Sequence, residues 1–127
     1  MGMAVGACVA TVPLGWTRAQ VRGHSMAPTL QPGDRVLVRR GRRGKRGDMI
    51  LFRAPGGREV VKRLVGIPGD VAAAGPTPVR LGAGEVAVAG DNPGSSTDSR
   101  SWGPGPLGAV RGRVVGIYHP PDRRMRW

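Results

Sequence analysis

Glycine and proline punctuate this chain so often that no long helix can form, and what lies between them is short and β-branched. There are 22 glycines and 12 prolines among 127 residues, spread without a repeat period. Glycine supplies positive φ and proline fixes φ where regular structure must stop, so this spacing predicts tight turns between short strands. The same content can mark disorder. Against that stand runs rich in branched and large apolar residues, from Arg35 to Val38, Met49 to Phe52, Val60 to Val65, Glu85 to Ala89 and Arg113 to Tyr118.

Local signals place these runs in order. Gln31-Pro32-Gly33-Asp34 reads as a reverse turn. Strands are expected over 35–40, 49–53 and 58–65, joined by a basic Gly-rich tip and by the turn 54–57, as a meander of antiparallel strands. A weak strand at 79–81, one at 85–89, a polar loop over 90–105 and a last strand at 113–118 follow, before Pro120 and Pro121 end ordered pairing. The fold class is mostly β: one small antiparallel domain, partly closed so that few strand edges stay open. Three segments are expected: a short apolar lead-in over 1–20, the main domain over 21–119 and a basic tail over 120–127.

Twenty Lys and Arg against eight Asp and Glu leave a formal charge of +12. The excess gathers at Arg39 to Arg46 and at Arg123, Arg124 and Arg126, which reads as a solvated loop and tail. Nucleic acid is not an expected partner, because the five aromatic residues do not alternate with the basic ones as stacking surfaces do. The single cysteine, Cys8, allows no internal disulfide and no zinc-finger spacing, and with only two histidines neither a metal nor another cofactor is expected. Residues 1–17 carry no charged side chain. The run is shorter than the roughly 20 apolar residues that span a bilayer and is broken by Gly and Pro. Weak membrane contact is the most it suggests, for a cytoplasmic or peripherally associated protein, with a spanning anchor only if the gene starts upstream.

Three polar features carry the chemistry. Ser25 sits in His24-Ser25-Met26-Ala27-Pro28-Thr29-Leu30, ahead of a proline-stiffened turn, and a serine becomes a nucleophile only when a neighbour takes its proton. Lys62 lies among Val60, Val61, Leu64 and Val65, and strand alternation puts it on the face of Val60 and Leu64. Burial there lowers an amine's pKa toward the range of a general base. The loop from Gly90 to Arg100 brings hydroxyls, carboxylates and an arginine: a hydroxyl can hold the amine, and Asp98 with Arg100 can brace the loop. A Ser-His-Asp triad with His24 or His119 is the rival arrangement. It leaves two of the three segments unexplained.

Taken in order, Ser25-Met26-Ala27-Pro28-Thr29-Leu30, then Lys62-Arg63-Leu64-Val65-Gly66-Ile67-Pro68-Gly69-Asp70, then Gly90-Asp91-Asn92 with Ser96, Asp98-Ser99-Arg100 and Trp102-Gly103-Pro104, the sequence resembles the type I signal peptidases, serine proteases with a Ser-Lys dyad. The resemblance runs from about Val21 to Tyr118. It implies Ser25 as nucleophile, Lys62 as general base, Ser96 as the hydroxyl that positions the lysine, and Asp98 and Arg100 as the structural pair. It implies a precursor polypeptide with an N-terminal leader as partner, read through small residues near the cut, with Met26 among the pocket residues. The family's oxyanion hole adds a hydroxyl two residues before the nucleophile, where this chain has Gly23. Its compactness is similar to the subgroup that matures nickel-type superoxide dismutase, so that precursor is the expected substrate, with general preprotein processing as the alternative. A non-catalytic β module binding nucleic acid or protein is the reading of another class.

Overall fold

The computed structural model describes residues 14–41 and 44–127. Ten strands form among these described residues: β1 (Trp16–Gln20), β2 (Arg35–Arg40), β3 (Met49–Arg53), β4 (Glu59–Gly66), β5 (Val71–Ala73), β6 (Pro78–Arg80), β7 (Glu85–Ala89), β8 (Gly105–Pro106), β9 (Val110–His119) and β10 (Met125–Arg126). One four-residue helix, α1 (Ser99–Trp102), follows the polar loop. The protein is mostly β, as its turn chemistry dictates, with an antiparallel half-barrel as its main sheet.

The expected meander of the first three strands does not form. The sheet runs β1-β2-β9-β3-β4-β7-β8, so the late strand β9 separates β2 from β3. With ten residues, β9 is long enough to serve several partners: Arg35 to Arg40 pair along one edge, while Ile50 to Phe52 and then β10 share the other. Gly112 makes this possible, because a Cβ there would lie 2.5 Å from the Arg39 carbonyl oxygen. Turn signals report where a chain reverses, and the long-range partner is chosen by burial.

Two further boundaries differ from the sequence reading. Trp16–Gln20, placed in the lead-in, is a sheet strand in register with Arg35 to Arg39, and its Thr17 and Ala19 are buried. The segment after Pro120, read as a basic tail, docks instead: Arg123 donates two hydrogen bonds to the buried Asp34 carboxylate, at 2.7 and 2.9 Å, and β10 pairs with β9. Residues 1–13, on which the expected membrane contact falls, lie outside the described residues, as do Arg42 and Arg43 of the basic tip. No helix among the described residues is long and apolar enough to cross a membrane.

The core has a cluster on each side of the sheet. Met49, Leu51 and Val61 join Met26, Leu30, Val36, Val38, Val114 and Ile117 on one side. Ile50, Phe52, Val60 and Leu64 join Val86, Val88 and Val110 on the other. Strand β3 is therefore apolar at four successive positions, because successive side chains enter different clusters.

Candidate active site

Strand β7 meets β4 only from Arg63 onward, where Arg63 faces Ala89. Beyond Ala89 the chain leaves the sheet as the loop 90–98 and passes the part of β4 that carries Lys62. The segment from Val21 to Met26 closes the other side. Together they enclose a cavity of about 220 Å³, whose wall includes Ser25, Met26, Val60, Val61, Lys62, Ser95 and Thr97. The serine and the lysine, 37 positions apart in the chain, thus share one enclosure.

Lys62 is 4 % exposed. Its Nζ donates to Ser96 Oγ at 3.0 Å, and Ser96 Oγ in turn donates to Asp98 Oδ2 at 2.6 Å. Burial is the main influence on the amine and lowers its pKa. Asp98 opposes that shift, while the guanidinium groups of Arg100 and Arg58 reinforce it. A lowered pKa and burial together suit an amine that can serve as a proton acceptor.

Asp98 anchors this relay. Burial would raise its carboxyl, but hydrogen bonds from Arg100, from Ser96 and from the backbone N–H groups of Gly90 and Arg100 outweigh it and hold the carboxyl well below the usual range. A depressed carboxyl contributes stability that is full above its unfolded range near pH 4 and is lost as pH falls below it. The loop keeps its charge and shape throughout the neutral range. Asp98 also caps α1 through the Arg100 N–H, and the buried Ser99 Oγ accepts from Val88 N at 2.9 Å, fastening the loop to β7.

The serine turn is held by its backbone. Ala27 N–H donates to the His24 carbonyl and Leu30 N–H to that of Met26. Asn92 N–H donates to the Ser25 carbonyl at 2.8 Å, and the Asn92 side chain donates to that of His24. A second link was not foreseen from the sequence. Thr29 Oγ1 donates to Asp91 Oδ2 at 2.7 Å, and Arg63 donates to both Asp91 oxygens at 3.1 and 2.6 Å. One carboxylate therefore ties the Ser25 turn to the residue beside Lys62. All three members lie inside the quoted motifs, yet residue type alone assigns none of them a partner.

Gly90 is the tightest point of the assembly. A Cβ there would lie 2.5 Å from the Ser25 carbonyl oxygen and would also collide with the Ser96 side chain. Gly90→Ala is expected to push both groups out of register and to lower kcat by about 100-fold, the cost of a misplacement near 1 Å. Steady-state kinetics on the folded variant check this.

Each residue singled out from the sequence can now be placed. Ser25, Lys62, Ser96, Asp98 and Arg100 fall within one connected neighbourhood. Met26 contributes to the cavity wall while packing into the core at 2 % exposure. His24 is exposed, and its carbonyl is the part that fixes the loop. Gly23 has φ of +72°, a conformation that side chains rarely adopt, so the backbone itself disfavours a serine where the oxyanion hydroxyl was expected. Ser95 and Thr97, hydroxyls of the loop already singled out, also line the cavity, and so do Arg22 and Arg58, which were not foreseen. The two arginines are exposed, and residue type alone does not set them apart from the other arginines of the chain.

Comparison with known proteins adds to this geometry. Residues 1–80 and 73–119 match the family described as signal peptidase, peptidase S26. The chain is 34 % identical over 115 residues to mitochondrial inner membrane protease subunit 1 of Schizosaccharomyces pombe, covering 81 % of this chain and 73 % of that one. It is 38 % identical over 122 residues to mitochondrial inner membrane protease subunit 2 of Saccharomyces cerevisiae, covering 83 % and 69 %. The corresponding subunit 2 of Danio rerio is 36 % identical over 122 residues, covering 85 % and 67 %.

Proposed function

The chain belongs to the signal peptidase family, peptidase S26, and is a serine-type peptidase, and from that premise we propose that Ser25 and Lys62 form a dyad that cleaves leader peptides from precursor proteins. The observation that carries this reading is the buried Lys62 amine, held by Ser96 in the cavity that also contains Ser25.

The neutral Lys62 amine takes the Ser25 hydroxyl proton as Oγ attacks the scissile carbonyl carbon. The carbon–oxygen bond forms and the carbonyl oxygen becomes an oxyanion. The Ser25 N–H, which donates to no backbone carbonyl among the described residues, is its natural donor. Collapse breaks the carbon–nitrogen bond, and the Lys62 ammonium returns the proton to the leaving amine. Water then attacks the acyl-serine with Lys62 again as base, releasing the carboxylate product and restoring Ser25.

Ser96 keeps the amine aimed. Ser96→Ala is expected to lower kcat about 100-fold with little change in KM, while Ser96→Thr, which keeps a hydroxyl, recovers part of the loss. The narrower substrate expected from the chain's compactness, a nickel-type superoxide dismutase precursor, draws no support from the relatives named above. Those are described as inner membrane proteases, and they favour general preprotein processing.

The test is incubation of the protein with a preprotein bearing a signal peptide, in parallel with the superoxide dismutase precursor, reading new N-termini by mass spectrometry. A single cut at the leader boundary of the preprotein, absent with Ser25→Ala, supports the proposal. A cut that persists in Ser25→Ala, or no cut in either precursor, overturns it.

A further inference from the structure

The cavity around Ser25 and Lys62 carries more positive charge than peptide hydrolysis needs. Two permanently charged side chains, Arg22 and Arg58, line it beside the Lys62 amine, and no carboxylate does. The nearby acids are committed elsewhere: Asp98 to Arg100, Ser96 and the Gly90 N–H, and Asp91 to Arg63 and Thr29. Arg22 and Arg58 are exposed and belong to none of the ion pairs among the described residues, where Arg46, Arg63, Arg100, Arg111 and Arg123 each face an acid.

The two arginines approach from different elements. Arg22 lies three residues before Ser25, and Arg58 stands just ahead of β4. Lys62 lies four extended steps beyond Arg58, about 13 Å along the chain. Arg58 is nonetheless close enough that its charge, after burial and the charges of Asp98 and Arg100, acts on the Lys62 amine. An extended substrate advances by about 3.3 Å per residue, so a side chain within about four residues of the scissile bond passes through this region. Uncompensated like charges at the rim of a low-dielectric cleft concentrate the opposite charge.

We propose that Arg22 and Arg58 are specificity-determining residues that select precursors carrying Asp or Glu within about four residues of the scissile bond. This rests on the peptidase reading of the same site. Each arginine is exposed, so the preference is modest and salt-dependent.

The experiment uses a neutral parent peptide cut by the wild-type protein, in which Asp, Asn and Lys are walked through the four positions on either side of the cut. At one position or more, Asp is expected to raise kcat/KM about fivefold over Asn at low salt, and Lys to lower it. The gap should close near 0.5 M salt, where the Debye length falls to about 4 Å. In the Arg22→Gln/Arg58→Gln double variant the Asp-to-Asn ratio should fall to about one, and Arg58→Glu should shift preference toward Lys. Reading ratios within each variant removes any change in overall rate. Equal rates for all three residues at every position, or an Asp preference that survives in the double variant, overturns the proposal while leaving the peptidase reading intact. If the wild type cuts no leader-boundary peptide, so that no parent can be found, both readings are overturned.

Discussion

Lys62→Met is expected to lower kcat/KM by a factor of about 10⁴ or more while raising the melting temperature near neutral pH. In the proposed dyad the loss follows from removing the proton acceptor, since a serine hydroxyl at its ordinary pKa is a poor nucleophile and members of a catalytic unit cost nearly the whole effect when removed singly. The gain follows from burial. Lys62 is almost inaccessible, and its pKa is lowered by desolvation first. An unfolded lysine stays protonated to about pH 10.4. Between the lowered folded value and that limit the unfolded chain binds more protons, so stability rises with pH across the window and the penalty is full below it. Methionine fills similar space without that penalty. The same shift sets the pH dependence of the wild type: only the neutral amine accepts a proton, so cleavage should climb with pH along a limb below the usual lysine range. Rate profiles and thermal melts of both proteins check this. A profile flat from about pH 6 to 9, or a Lys62→Met protein that cuts normally, removes lysine as the base.

Ser25→Ala is expected to abolish cleavage to a similar extent, with stability within about 0.5 kcal/mol of wild type. The side chain is half-buried at the cavity wall, whereas the turn is held by backbone bonds from Asn92 to Ser25, Ala27 to His24 and Leu30 to Met26. Deleting one oxygen leaves those bonds in place. Mass spectrometry of wild type trapped with slow substrate should find the acyl group on the Ser25 peptide. An acyl group on another residue, or full activity in the variant, would falsify the assignment.

Much of the fold was legible because its signals are local. The expected limits of 35–40, 49–53 and 85–89 coincide with β2, β3 and β7, where β-branched runs lie between turn residues. Trp16–Gln20 escaped notice because Thr17, Arg18 and Gln20 look polar, and β5 because three residues carry no period. The insertion of β9 between β2 and β3 had no local signature. The site shows the same division: the motifs pointed to Ser25, Lys62 and the loop residues, but not to Arg58 at the rim or to the pairing of Thr29 and Arg63 with Asp91.

What the sequence determined by itself was chemical: which residues can attack, accept a proton or brace a loop, and where turns must fall, since these depend on residue type and near neighbours. What only the tertiary structure decided was distance and solvent. Lys62 meets Ser96 across 34 positions, Thr29 meets Asp91 across 62 and Arg123 meets Asp34 across 89. Desolvation and charge interactions fall off with separation in space, not along the chain, so the lowered amine and the paired acids exist only once the strands have closed around them.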